Sequence, residues 1–142
     1  EAVAIHIPNA HTDGDAIIHF RNANVIAAGD LSFRGLFPFI DLDSGGTVAG
    51  YMAGMQQLID MADDNTKFLT GHGAVGTRAG LEKDLAMLRD AEARVKALID
   101  KGMSEEEILS ANPLANYHDE YNWFFITTER MTKTFIRSLT EN

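Results

Sequence analysis

At 142 residues, with 45% apolar and 23% charged side chains, the chain has the size and composition of one globular domain rather than of a disordered or fibrous segment. A formal charge of -9 offers neither nucleic acid nor an anionic membrane a favourable electrostatic term, so neither is expected as a partner. With no cysteine there is no disulfide framework and no thiolate zinc site, and any metal must use imidazole and carboxylate.

Ala2 to Pro8 reads as a strand of β-branched and small residues stopped by proline. Ala16 to Phe20 and Asn24 to Ala28 read as two more strands, joined into a hairpin by the Arg21-Asn22-Ala23 turn. Ser32 to Gly46 reads as irregular and carries Phe33, Phe37, Pro38 and Phe39. From about Thr47 to Ala62 the apolar residues Val48, Met52, Met55, Leu58, Ile59 and Ala62 follow a helical period, and Asp63-Asp64-Asn65 closes that helix. Lys67 to Thr70 is a short strand leading into Gly71-His72-Gly73.

From Thr77 the pattern is helical. Leu81, Leu85, Leu88, Val95, Leu98 and Ile99 share one face, Thr77 is the N-cap candidate and Gly102 stands where a left-handed C-cap residue belongs. Ser104 with Glu107 three residues on is a capping-box signature for the next helix, which ends near Asn112-Pro113. A last helix runs from about Thr128 to Leu139. Strands in the first half and helices in the second point to α/β layering, a mixed sheet with helices on one face, and no repeat or linker divides residues 1–142. No apolar run reaches the roughly 18 to 20 residues that span a bilayer. A soluble protein of a bacterial-type cytoplasm or periplasm is expected, with the compartment unassigned. The opening at Glu1, directly before a strand-like run, is what removal of upstream sequence would leave.

Three segments set a potential metal ligand in a glycine-marked turn after a short apolar strand: Asn9-Ala10-His11-Thr12-Asp13-Gly14-Asp15, Ala28-Gly29-Asp30-Leu31 and Thr70-Gly71-His72-Gly73. In this order they resemble the third, fourth and fifth metal-ligand motifs of the metallo-β-lactamase superfamily. The superfamily's N-terminal His-x-His-x-Asp-His motif has no counterpart among the five histidines, His6, His11, His19, His72 and His118. The resemblance therefore implies the C-terminal half of a binuclear hydrolase: half of an αββα sandwich, with strands and ligand motifs in residues 1–76 and a helical elaboration in 77–142. The helices after Thr77, with Phe125-Ile126-Thr127-Thr128-Glu129-Arg130 near the end, resemble the C-terminal elaboration of a hydrolase branch.

By the same resemblance zinc is the expected metal, two ions in the complete enzyme. His11 would join the first, Asp30 would bridge the two as the residue closest to the chemistry, and His72 would ligate the second. Ester, thioester or amide hydrolysis of a small-molecule substrate is the implied reaction. Asp30 in place of cysteine argues against the lactamase branch that uses a thiolate. The chain would own one of three and two of four protein ligands, so alone it should bind metal weakly and be catalytically incompetent. An isolated half would also leave one apolar sheet face in water, to be covered by the missing half or by a second copy. A stand-alone half-domain that forms a homodimer with a structural or binding role is the alternative. Val3, Ile5, Ile7, Ile17, Ile18, Val25 and Ile26 are the strand residues from which that face is expected to draw, and the sequence does not say which alternate set points outward.

The remaining residues carry weaker signals. His6 and His19 fall within strands and read as strand residues rather than ligands, and His118 reads as a surface residue or a partner of Asp119 or Glu120. Asp13 and Asp15 either orient His11 or simply form the turn. Phe33, Phe37 and Phe39 either pack around Pro38 or line a substrate mouth. Glu105-Glu106-Glu107 suits the positive end of a helix dipole and is not an acid cluster for catalysis.

Overall fold

A computed structural model describes residues 1–141 and shows a single sheet of four strands. They are β1 (Ala2–Ile7), β2 (Asp15–Phe20), β3 (Val25–Arg34) and β4 (Lys67–Gly73), lying side by side in that order. The first three form an antiparallel meander, and β4 joins β3 in parallel. A parallel partner requires a crossover. Here it is α1 (Val48–Met61), reached through a 3-10 turn at Leu42–Ser44. The helices α2 (Arg78–Asp100), α3 (Glu105–Ala111), α4 (His118–Tyr121) and α5 (Thr128–Thr140) follow, with a 3-10 turn at Ala115–Tyr117. No helix among the described residues is long and apolar enough to cross a membrane.

The helices start and stop where their sequences satisfy the free backbone groups. Thr47, Thr77 and Thr127 accept from Gly50, Gly80 and Arg130 N–H respectively, and Ser104 with Glu107 forms the expected reciprocal box. The α3 C-cap is Asn112 in the left-handed region at φ 49°, immediately before Pro113. The periodic residues of α2, Leu81, Leu85, Leu88 and Val95, are buried, as are Val48, Met55, Leu58 and Ile59 of α1.

Register decides which strand residues those helices cover. Across the sheet Val3, His19, Ile26 and Phe68 align, and Ile5 aligns with Ile17; this is the covered face, where Ile7, Ile17, Ile26 and Phe68 are buried. On the opposite face Ala4, Ile18, Ala27 and Leu69 align, next to Phe20 and Val25. Ile18 is 40% exposed and Leu69 48%. Of the seven strand residues from which the open face could draw, Val3, Ile5, Ile7, Ile17 and Ile26 turn toward the helices, while Ile18 and Val25 belong to the outward set. A period of two makes every alternate residue change sides, and only the register tells which.

Two strands are longer than the sequence suggests. β3 continues past Ala28 through Gly29, Asp30 and Phe33 to Arg34, and β4 continues past Thr70 to Gly73. The pairing survives because β3 is irregular on either side of Gly29, which takes φ +54°, a bulge that realigns Phe33 with His72 and Arg34 with Gly73. The glycine that reads as a strand stop is a bulge inside a strand. Asp30 and His72 therefore stand on sheet backbone and not in turns beyond it, whereas His11 does lie in the loop between β1 and β2.

Candidate metal centre

The loop that carries His11 is held down on both sides. Asn9 O accepts from the Thr47 N–H and hydroxyl at 3.0 and 2.9 Å, at the start of α1, and His11 O accepts from Asp41 N–H at 2.9 Å. Asp15 accepts from Thr12 N–H at 2.9 Å and Asp13 from Asn9 N–H at 3.4 Å, so both aspartates serve the turn itself. The group that orients the His11 ring is one the sequence did not single out. Its Nδ1–H donates to the carbonyl of Phe39 at 2.5 Å, which fixes the tautomer and turns Nε2 toward Asp30.

Asp30 lies between two imidazoles. His11 Nε2 is 3.3 Å from Oδ2 and His72 Nε2 is 3.5 Å from Oδ1. Gly71 makes room for the carboxylate. A Cβ there would sit 2.0 Å from Asp30 Oδ1 and 3.0 Å from the Gly29 carbonyl carbon and oxygen. The His72 ring stacks on Phe33 with centroids 4.9 Å apart and planes 12° from parallel. The sequence-predicted trio thus meets in two pairs that share Asp30. Among the described residues no group of three or more His, Asp or Glu side chains is arranged to hold a metal ion.

The donor set nevertheless suits a divalent cation. With Nδ1–H committed to a carbonyl, His11 Nε2 faces an oxygen of Asp30, so a nitrogen and an oxygen donor are presented to one point. Imidazole nitrogen and carboxylate oxygen are zinc's ordinary ligands in a site without thiolate.

Beside the cluster opens a cavity of about 560 Å³, lined by His11, Asp30, His72 and five aromatic rings: Phe33, Phe39, Trp123, Phe124 and Phe125. Phe37 is fully buried and takes no part. The last three rings come from the segment before α5, to which the sequence assigns no part in a site. Three consecutive aromatic residues cannot all turn inward, and that was the available signal. Trp123 is anchored by its indole N–H to Phe37 O at 2.9 Å, and Phe124 is 92% exposed.

The other histidines lie outside the cluster. His6 Nε2 bonds the Asp13 carbonyl oxygen at 2.7 Å, and His118 Nδ1 pairs with the Thr128 hydroxyl at 2.7 Å rather than with either neighbouring acid. His19 lies on the covered side of β2, half-buried.

No family profile and no curated protein matches the sequence. Solved structures do. A metallo-beta-lactamase family protein from Thermus thermophilus is similar over 99% of this chain and 44% of its own, with 19% identity and a TM-score of 0.65. A metallo-beta-lactamase from Pontibacter korlensis is similar over 63% of this chain and 41% of its own, with 13% identity and a TM-score of 0.50. The chain spans less than half the length of either structure. It is built on the metallo-β-lactamase fold, of which it carries a part.

Proposed function

We propose that this chain is the C-terminal, ligand-bearing part of a zinc-dependent hydrolase acting on an ester, thioester or amide, with His11 serving one metal, His72 the other and Asp30 both. The observation that carries this reading is the approach of one imidazole to each oxygen of a single carboxylate, at 3.3 and 3.5 Å. When bound, two such metals would activate water and polarise the scissile carbonyl. The chain's own residues orient and confine. Phe39 O holds the His11 tautomer, Gly71 lets Asp30 lie against β4, and the aromatic rings line the cavity on one side of the cluster. Three protein ligands hold two metals weakly, so the remaining ligands must come from the rest of the fold, for which the outward sheet face is the natural seat.

Zinc titration of the chain purified without chelator tests the site, with metal content checked by elemental analysis. Weak, substoichiometric binding is expected, and His72→Ala should lower the affinity at least tenfold, as loss of support to a metal site commonly does. An unchanged titration would remove His72 from the site, and nanomolar binding of two metals per chain would show that the ligands were miscounted. Turnover of ester, thioester and β-lactam substrates should be negligible with the chain alone and appear when a half carrying His-x-His-x-Asp-His is supplied. Robust metal-dependent turnover by the chain alone would defeat this reading.

A further inference from the structure

The five rings beside Asp30 form a built surface whose chemistry is narrower than "apolar". Trp123 meets Phe124 and Phe125 edge-on, at centroid separations of 5.4 and 5.6 Å with planes 79° and 63° apart. Phe39 meets Phe125 in the same way, at 5.3 Å and 73°. Rings set edge-to-face around a cavity offer further faces and edges to a visiting ring, and such contacts add to simple area burial. The segment is also fixed in place before any ligand arrives. Trp123 donates to Phe37 O, Arg130 donates to Phe125 O at 2.9 Å, and its guanidinium lies over the Phe39 and Phe125 rings at 5.1 and 4.7 Å. That arginine is thereby spent on the aromatic scaffold and does not line the cavity, whose charged or titratable lining is two histidines and one aspartate.

We propose that Trp123, Phe124 and Phe125 form a specificity wall that binds a neutral aryl group on the substrate, with the bond to be cleaved directed toward Asp30. Outside the Asp30 cluster the lining is aromatic and carries no lysine or arginine, so nothing on the wall pairs with an anionic substituent. This rests on the hydrolase reading for calling the aryl group part of a substrate; the binding itself requires no metal.

The wall contains the chain's only tryptophan, so tryptophan emission, excited where tyrosine does not absorb, reports on it alone. Titration with N-phenylacetamide should give a saturable change in Trp123 emission, whereas N-methylacetamide at the same concentrations gives none. Phe124→Ala, at a 92% exposed position where folding is not at risk, should weaken binding about fivefold, the size of one aromatic contact. Removing zinc with a chelator should leave N-phenylacetamide binding within twofold. An absent or non-saturable response, or full affinity in Phe124→Ala, overturns the wall. Equal binding of N-hexylacetamide overturns the aryl assignment in favour of a merely greasy surface. Aryl binding in a chain that takes up no zinc would leave the wall standing and fell the metal site, and zinc uptake with a silent tryptophan would do the reverse.

Discussion

A methyl group at position 71 has nowhere to go. Its carbon would fall 2.0 Å from Asp30 Oδ1 and 3.0 Å from Gly29 backbone, so relief requires either the carboxylate to leave or β4 to separate from β3. Gly71→Ala should therefore cost about 1–3 kcal/mol in urea unfolding, the usual penalty of overpacking, and weaken zinc binding as much as loss of His72 does. Wild-type behaviour in both measurements would mean that Asp30 is not held where it appears. Around this glycine each contact has one job. Phe39 O selects which His11 nitrogen faces the carboxylate, and Phe33 braces the His72 ring by stacking. None of these orienting contacts is visible from ligand spacing, because a carbonyl donates no sequence signal and the Phe33 partner depends on a bulge.

The end of β3 is tied to α2 through Asp84, which is 4% exposed. It accepts from Arg34 Nη1 at 3.1 Å, from Gly35 N–H at 3.3 Å and from the Tyr121 hydroxyl at 3.0 Å. Burial pushes this carboxyl above its ordinary value despite the arginine and the hydrogen bonds, which pull it down. A carboxyl raised by folding contributes stability at acid pH, below the unfolded value near 3.8, and loses that contribution as pH rises through the folded value. The stability of the wild type relative to Asp84→Asn should therefore fall between about pH 4 and neutrality, read from paired urea curves. A difference that is flat with pH, or that grows in the wild type's favour, would show that the ion pair with Arg34 outweighs burial. At this scale the sequence is a good guide to helices and an uneven one to strands. Capping side chains and a 3.6-residue period mark α1, α2, α3 and α5 to within a residue or two, since both signals are local. Strand ends are not local: Gly29 and Gly71 read as stops, yet the first is a bulge and the second a clearance for a carboxylate. The convergence of His11, Asp30 and His72 in space was legible through their motifs. The Trp123 to Phe125 segment was not, because aromatic residues ahead of a helix look like core until the chain path shows them facing a cavity.

Over the whole molecule the outward sheet face sets the behaviour expected in solution. Ala4, Ile18, Ala27 and Leu69 cross all four strands in one row, with Phe20 38% exposed beside them and Val75, just past β4, 62% exposed. In the absence of the rest of the fold a second copy should cover this row. A specific dimer typically buries about 1,200–2,000 Å² in total. Sedimentation equilibrium across a concentration series should show self-association, and the double substitution Ile18→Lys with Leu69→Lys should return the 15.6 kDa monomer without loss of helical signal. A wild-type chain that stays monomeric at high concentration and binds no hydrophobic dye would rule the dimer out. The parallel pairing of β3 with β4 carries a different consequence, in the order of folding. The β1–β2–β3 meander closes through short turns, whereas β4 reaches β3 only after α1 has been threaded across, and such long-range closure is entropically expensive and slow. The approach of His72 to Asp30 is made by that late step. On a chain emerging from the ribosome the two side chains stay apart until α1 and β4 have both been synthesised and docked, so any ion held between them could secure the finished sheet but not template its assembly.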